Sequence, residues 1–160
     1  MKISAFIIIL LGAVLVLNCK NHKSVSKNEG TVGTAQVPED LKIVLGSGGG
    51  FTGRWQGYTI YADGTLESWE GRWAEQNPVI LEKKLSKNEV YEIWAEIEAL
   101  EFFDNKTKET GNKTSIFEVS TGSQKNRVTW VSGVEGRTEP KNKIESFYWN
   151  INKMINRRIK

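Results

Sequence analysis

The chain has 160 residues, 39% of them hydrophobic, and it carries a formal net charge of +3. A chain of this length and composition supports one folded domain and not two. So mild a positive charge gives no reason to expect a nucleic-acid partner, which a strongly basic surface would indicate.

The first 18 residues predict an export signal rather than part of that domain. Lys2 supplies a short basic region, and the apolar stretch ISAFIIILLGAVLVLN then runs up to Cys19. This stretch is shorter than the roughly 20 residues that a membrane-spanning helix needs, and it lies where an export signal lies. An uncleaved signal anchor is the alternative interpretation.

The stretch LVLNC, which ends at Cys19, resembles the lipobox of bacterial lipoproteins. In that family the cysteine thiol is diacylated and the chain is cut just before it. Val16 and Asn18 replace the Leu and the small residue of the strict pattern, as in the relaxed lipoboxes of spirochaetes. A lone cysteine in an exported chain has no internal disulfide partner, and acyl chains anchor a protein stably. The resemblance implies a lipid anchor in the cell envelope, and Lys20 in place of Asp favours the outer membrane.

Residues 19–40 predict a flexible tether, because they are polar, lack aromatic residues and have no sustained apolar period. At roughly 5–6 Å times the square root of its length, such a tether holds a domain about 25 Å from the bilayer. The folded domain is predicted to span residues 41–160.

The domain begins with three predicted strands. LKIVLG predicts a short first strand, which leads into the glycine-rich stretch GSGGGFTG. RWQGYTIYADGTLESWEGRW predicts a hairpin with Tyr58 and Ile60 on one face, and Asp63-Gly64 predicts a type I′ turn within it. PVILEK predicts a further short strand, with Pro78 at its start, where the missing N–H donor does little harm.

LSKNEVYEIWAEIEALEFF predicts an amphipathic helix. Ser86 and Glu89 have the spacing of a capping box, and Leu85 and Val90 have the spacing of a hydrophobic staple. Its apolar face consists of Val90, Ile93, Trp94, Ile97 and Leu100.

The rest of the domain repeats this order. After the loop DNKTKETGNKT, the stretches SIFEVSTG and NRVTWVS predict two strands joined by a turn at 122–126. Pro140 is predicted to open a second helix. The apolar face of that helix consists of Ile144, Phe147, Tyr148, Ile151, Met154 and Ile155. The predicted fold class is therefore α+β: two hairpins and a short first strand form an antiparallel sheet, covered by two amphipathic helices in the order ββ(β)-α-ββ-α.

The glycine-rich stretch matches two phosphate-binding motifs only in part. Gly48, Gly50 and Gly53 satisfy G-x-G-x-x-G, but that site needs a following helix, whereas RWQGYTIY predicts a strand. A P-loop is excluded because Arg54-Trp55 replaces the required Lys-Ser/Thr. The stretch is then either a strand-connecting loop or a contact loop that presents Phe51 with bare backbone donors. The candidate partner-binding residues are Gly48, Gly49, Gly50, Phe51, Thr52, Gly53 and Arg54.

The predicted domain lacks the residues of several catalytic sites. The only histidine, His22, and the only cysteine, Cys19, both precede it. This excludes Ser-His and Cys-His nucleophilic pairs, and metal sites with histidine or thiolate ligands, within the domain. The glutamates have the pattern of solvated strand and helix faces. We therefore predict no catalytic residue, cofactor or metal, and a protein that is not an enzyme.

Three tryptophans, Trp55, Trp69 and Trp73, cluster on the hairpin beside the glycine-rich stretch. They either pack under the helices and across strands, or form an aromatic surface that anchors a partner or a sugar chain. Strand alternation places Trp69 and Trp73 on one face, unless Gly71 forms a bulge.

The element order and the stretch Ser47–Gly53 resemble emfourin, a small bacterial inhibitor of thermolysin-like metalloproteases. The resemblance covers about 41–157, and GGGFTG followed by GYTI also resembles uncharacterised envelope lipoproteins. The resemblance to emfourin implies a protein that acts by contact with a secreted or periplasmic protease, with the Phe51 loop in the protease cleft. Together with the lipobox, it predicts a lipid-anchored monomer. A structural or adhesive envelope lipoprotein of unknown ligand is the alternative.

Overall fold

A computed structural model of the chain describes residues 36–72, 75–132 and 139–160. They form one open antiparallel sheet of six strands and two helices, so the predicted α+β fold class is confirmed. The strands are β1 (Lys42–Gly49), β2 (Arg54–Tyr61), β3 (Leu66–Arg72), β4 (Glu75–Ile80), β5 (Lys113–Ser120) and β6 (Lys125–Val131), in the spatial order β4-β3-β2-β1-β5-β6. The helices are α1 (Lys87–Ala99) and α2 (Lys143–Ile159), with a 3-10 turn at Phe102–Asp104.

The first strand is longer than the sequence suggested and lies in the middle of the sheet. β1 extends to Gly49 and pairs along its whole length with β2 on one side and β5 on the other. Leu45 lies opposite both Tyr58 and Phe117, on the face that the helices cover. The prediction of a short first strand followed by a glycine loop is therefore wrong, because half of the glycine-rich stretch belongs to the central strand.

The turn between β2 and β3 differs from the predicted type I′. Gly64 has a φ of +82°, but Asp63 does not have the positive φ that a type I′ turn also requires. The Gly64 N–H donates to the Tyr61 carbonyl (2.9 Å), and the Tyr61 N–H donates to the Thr65 carbonyl (3.0 Å). This is the three-residue hairpin loop in which a glycine bulge follows a type I turn. The Asp63 carboxylate stabilises it by accepting hydrogen bonds from the N–H and the hydroxyl of Thr65.

β4 begins before Pro78, which is an interior residue of an edge strand rather than its first residue. The Leu81 N–H donates to the Leu66 carbonyl (2.8 Å), so N–H groups at alternate positions before Leu81 also face β3. Position 78 therefore faces outward, where proline removes no hydrogen bond from the ladder. The proline also blocks this edge against pairing with another strand.

The opposite edge is covered by the loop after the 3-10 turn. The Thr129 N–H of β6 donates to the Thr107 carbonyl (3.2 Å), and the Glu109 N–H donates to the Thr129 carbonyl (2.9 Å). A segment predicted only as a loop thus satisfies edge groups of β6, and both edges of the sheet are protected.

Both helices begin at side-chain caps. The capping box predicted for α1 is confirmed: the Glu89 N–H donates to Ser86 Oγ (3.3 Å), and the Ser86 N–H donates to Glu89 Oε2 (2.7 Å). α2 does not begin at Pro140 as predicted; Asn142 caps it, since Asn142 Oδ1 accepts from the Glu145 N–H (2.9 Å). None of the helices in the described part of the chain combines the length and hydropathy needed to cross a bilayer.

The core lies between the helices and one face of the sheet. Phe117 of β5 contacts Phe102, Phe147 and Tyr148 through its ring. The predicted apolar faces of both helices contribute to it. The fully buried side chains include Leu41, Ile43, Leu45, Ile60, Leu66, Ile97, Phe102, Phe117, Val119, Ile151 and Ile155.

Candidate functional site

The predicted contact stretch forms the tip of the β1–β2 hairpin. The Gly53 N–H donates to the Gly50 carbonyl (3.1 Å), and the Gly50 N–H donates to the carbonyl of Asn112, the residue before β5. Gly49, Gly50 and Gly53 have φ values of +101°, +68° and +60°, which side chains disfavour. The tip is therefore fixed both within itself and to the neighbouring strand.

The predicted site residues divide between the surface and the sheet. Phe51 is fully exposed at the tip, Thr52 and Arg54 are exposed beside it, and the Arg54 N–H donates to Thr52 Oγ1 (3.4 Å). Gly48 instead lies within β1, where a Cβ would come within 2.5 Å of the Trp55 ring. The strand predicted after Gly53 is present as β2, so the geometry of a dinucleotide-binding helix is absent from this stretch.

Two glycines of the sheet, Gly46 and Gly57, leave the space that the Trp69 ring occupies. The register places Gly46, Gly57 and Trp69 side by side on three adjacent strands, on the face opposite the helices. A Cβ on Gly46 would lie 2.8 Å from Trp69 Cζ2, and a Cβ on Gly57 would overlap the same ring. Trp69 is buried in this position, which supports the packing interpretation for that tryptophan.

The remaining predictions for the hairpin concern Gly71 and Trp73, near its tip. Trp55 lies opposite Gly71, and Arg54 lies opposite Arg72, without an interruption. Gly71 is therefore not a bulge. Trp73 lies outside the described residues, as do Cys19, the predicted export signal and the tether up to residue 35.

A polar groove, which the sequence analysis did not identify, lies on the helix-covered face of the sheet. The register aligns a row of polar side chains across five adjacent strands; from β5 to β4 these are Ser115, Ser47, Gln56, Glu70 and Asn77. Tyr148 and Asn152 of α2 form one wall, and the cavity has a volume of about 420 Å³. This lies within the range of about 300–1,000 Å³ that is typical of small-ligand pockets.

The groove exists because the core face of two strands changes from apolar to polar toward the hairpin tip. On β2 the side chains pointing to this face are Ile60, Tyr58 and Gln56 in that order. On β3 the corresponding order begins with the buried Leu66 and continues to Ser68 and then Glu70. The helices cover the apolar part of the face. In the sequence, such a site is marked by polar residues that replace apolar ones at every second position of a strand, on the face that points to the core elsewhere.

Hydrogen bonds from α2 fix the wall of the groove. The Tyr148 hydroxyl donates to the Gly46 carbonyl (3.0 Å), and Asn152 Nδ2 donates to the Tyr148 carbonyl (2.9 Å). Burial raises the pKa of Tyr148, so its hydroxyl stays protonated as a donor. The Tyr58 hydroxyl donates to Asn156 Oδ1 (3.3 Å), which ties the floor to the same helix.

The floor of the groove offers polar atoms without partners. Within the described residues, the side chains of Gln56, Ser68 and Asn77 make no hydrogen bond. Each carboxamide can donate and accept at the same time. The groove therefore has unused donors and acceptors at positions that the strand register fixes.

Three cationic side chains stand at the tip end of this row. Arg54 lies opposite Arg72, and Gly49 lies opposite both Arg54 and Lys113, so strand alternation places the three on the groove face. Arg54 Nη2 lies 3.8 Å from Glu70 Oε1, and both side chains are largely exposed. The register also places Glu75 opposite Arg72, so three cationic positions stand beside two acidic ones, Glu70 and Glu75.

No group of three or more His, Cys, Asp or Glu side chains suited to a metal ion occurs in the part of the chain that the structure describes. No family model matches the chain, and no curated protein matches its sequence.

Proposed function

We propose that this protein is a lipid-anchored envelope protein whose domain inhibits a thermolysin-like metalloprotease by direct contact. The observation that carries the proposal is Phe51, a fully exposed aromatic side chain at the tip of a hairpin. Aromatic side chains that enter a pocket contribute most of the binding energy in many protein interfaces.

The mechanism is steric, and no covalent chemistry by this chain is needed. The tip enters the cleft of the protease with Phe51 foremost and excludes the substrate. Its conformation is limited in advance, since Gly50 hydrogen-bonds both to Gly53 within the turn and to Asn112, the residue before β5. Preorganisation of this kind reduces the conformational entropy lost on binding.

The anchor and the tether set where such an inhibitor acts. Acyl chains on Cys19 hold the domain at the membrane, and the polar residues between Cys19 and the domain let it reach a secreted or periplasmic protease. Labelling cells with radioactive palmitate tests the anchor directly. The wild-type chain is expected to incorporate label and the Cys19→Ser variant is expected not to; equal labelling of the two would refute the anchor.

Inhibition is tested with the mature chain carrying Cys19→Ser, so that it stays soluble. We titrate it against thermolysin-like proteases and compare it with Phe51→Ala, which removes the tip ring. Val79→Ala is the matched control, because Val79 is also an exposed apolar side chain but lies on β4. Stoichiometric inhibition that Phe51→Ala loses and Val79→Ala keeps is the expected result. Absence of inhibition at micromolar wild-type protein would sink the proposal.

A further inference from the structure

The groove between α2 and strands β1–β4 has the features of a ligand site that is separate from the hairpin tip. Its polar row is aligned by the backbone register of four strand pairs and does not depend on loop conformation. Sites built on strands and helices hold their groups more precisely than sites built on loops. The polar side chains also occupy positions that face the core elsewhere on the same strands.

The chemistry of the lining favours a hydroxylated ligand. Gln56, Asn77 and Asn152 provide three carboxamides, and Ser68 and Tyr58 provide hydroxyls. The carboxamides and the Ser68 hydroxyl can donate and accept, which suits vicinal hydroxyl groups that also do both; the Tyr58 hydroxyl, which donates to Asn156, offers an acceptor. The rings and methyl groups of Tyr58 and Val79 give apolar surface in the same groove, against which the C–H face of a sugar ring can pack.

The cationic side chains at the tip end of the groove favour a ligand that also carries an acidic group. Arg54, Arg72 and Lys113 stand in one row beside Gln56, with two acidic positions, Glu70 and Glu75, next to them. Arginine binds carboxylate and sulfate groups through its planar fork of N–H donors. An acidic group on the ligand would be attracted to this end and would orient the ligand along the polar row.

A peptide strand fits the groove less well. Strand addition needs an open sheet edge, whereas Pro78 interrupts the donors of the β4 edge. The polar row also crosses the strands instead of running along them, so the floor offers side-chain groups rather than a backbone ladder.

We propose that this groove binds an acidic saccharide of one or two sugar rings, with the hydroxyl groups on Gln56, Asn77 and Asn152 and the acidic group toward Arg54 and Arg72. A cavity of about 420 Å³ accommodates a ligand of that size. Phe51, on which the proposed protease contact depends, does not line the groove, whereas Arg54 stands between the hairpin tip and the end of the groove.

The test measures binding of matched disaccharides to the mature Cys19→Ser chain by NMR titration. The panel consists of uronic-acid disaccharides, among them digalacturonic acid, and their carboxyl-reduced neutral forms. We expect the acidic forms to bind more tightly by about tenfold or more and to shift the side-chain amides of Gln56, Asn77 and Asn152. No binding by any member of the panel at about 10 mM overturns the proposal, as this lies beyond weak millimolar affinity.

Variants separate the roles of the groove and of charge. Gln56→Ala with Asn77→Ala is expected to weaken binding of every disaccharide by about tenfold, because two hydrogen bonds are lost. Arg72→Gln is expected to weaken only the acidic forms. Phe51→Ala is expected to leave disaccharide binding unchanged, so that failure here and failure of protease inhibition are distinguishable. The dipeptide Asp-Asp, which has the same net charge as digalacturonic acid at neutral pH, serves as the charge-matched probe. Binding of Asp-Asp as tight as that of digalacturonic acid, or disaccharide binding insensitive to the groove variants, overturns the proposal.

Discussion

The indole ring of Trp69 lies against Gly46 two strands away, on the face of the sheet that the helices leave uncovered. Gly46 is not in the left-handed region, so the requirement for glycine is steric and not conformational. We expect Gly46→Ala to lower the free energy of unfolding by about 1–3 kcal/mol, because the new methyl group displaces a packed ring. Urea denaturation of the variant and the wild type measures the loss.

A double-mutant cycle shows whether that loss depends on the ring. In a Trp69→Leu background the smaller side chain leaves room, and Gly46→Ala is expected to cost less by about 1 kcal/mol or more. Equal costs in the two backgrounds would mean that the ring is not what requires glycine at position 46.

Substitutions of Phe51 and Phe102 are expected to differ strongly in their effect on stability. Phe51 is fully exposed, whereas Phe102 is fully buried against the rings of Phe103 and Phe117. Phe102→Ala is expected to cost about 3–5 kcal/mol in the free energy of unfolding, and Phe51→Ala less than about 0.5 kcal/mol. Thermal unfolding followed by circular dichroism compares them. A large loss for Phe51→Ala would show that the ring packs on the domain in solution.

The ion pair between α1 and the end of α2 predicts an acid-dependent loss of stability. The hydrogen bond from Arg158, together with those from Ser86, lowers the pKa of Glu89 from 4.5 to about 2. Since the folded pKa lies below its unfolded value, this stabilisation is present above about pH 4.5 and is lost as the pH falls toward 2. We expect Glu89→Gln to be less stable than the wild type by about 1 kcal/mol near neutral pH, with the difference vanishing toward pH 2.

Urea denaturation at a series of pH values measures this difference. Glu92→Gln is the matched control, because Glu92 is an exposed glutamate of the same helix outside the capping box. A difference between Glu89→Gln and the wild type that persists unchanged at low pH would contradict the assignment to the ionised carboxylate.

Pro78 is expected to keep the protein from associating through β4. Pro78→Thr restores an N–H group that faces away from β3, on an edge that already carries the exposed Val79 and Ile80. We expect this variant to form dimers or larger species as its concentration rises, whereas Val79→Thr stays monomeric. Sedimentation velocity over a range of concentrations distinguishes the two, and a monomeric Pro78→Thr would show that the edge is closed by other means.

The elements that sequence analysis located correctly are those with local signals. The capping box of Ser86 and Glu89 spans one turn, and the apolar faces of both helices follow from spacing alone. The type I′ turn predicted at Asp63-Gly64 was wrong, because Asp63 lacks a positive φ; its carboxylate instead accepts hydrogen bonds from the N–H and the hydroxyl of Thr65. The start of α2 was misjudged because Asn142, not Pro140, supplies the cap.

The groove and the packing of Trp69 on Gly46 and Gly57 depend on residues that are distant in sequence. Gly46 lies under a ring supplied by β3, which no local pattern indicates. The polar row from Ser115 to Asn77 appears only when four strand registers are known together. The sequence alone shows that Ile60, Tyr58 and Gln56 share one face of a strand. Without the strand order, however, a polar residue that faces a groove cannot be told from one on a solvated face.

The central place of β1 has a consequence for how the chain acquires its structure. Lys42 pairs with Ser120, so β1 obtains its second neighbour only after most of the chain has been synthesised. Until then β1–β4 can form a meander by short-range pairing, but its inner edge stays unpaired. An unpaired edge in a growing chain is a template for intermolecular pairing. We therefore expect chains that end before β5 to aggregate, and the arrival of the second hairpin to be the step that commits the protein to a monomeric native state.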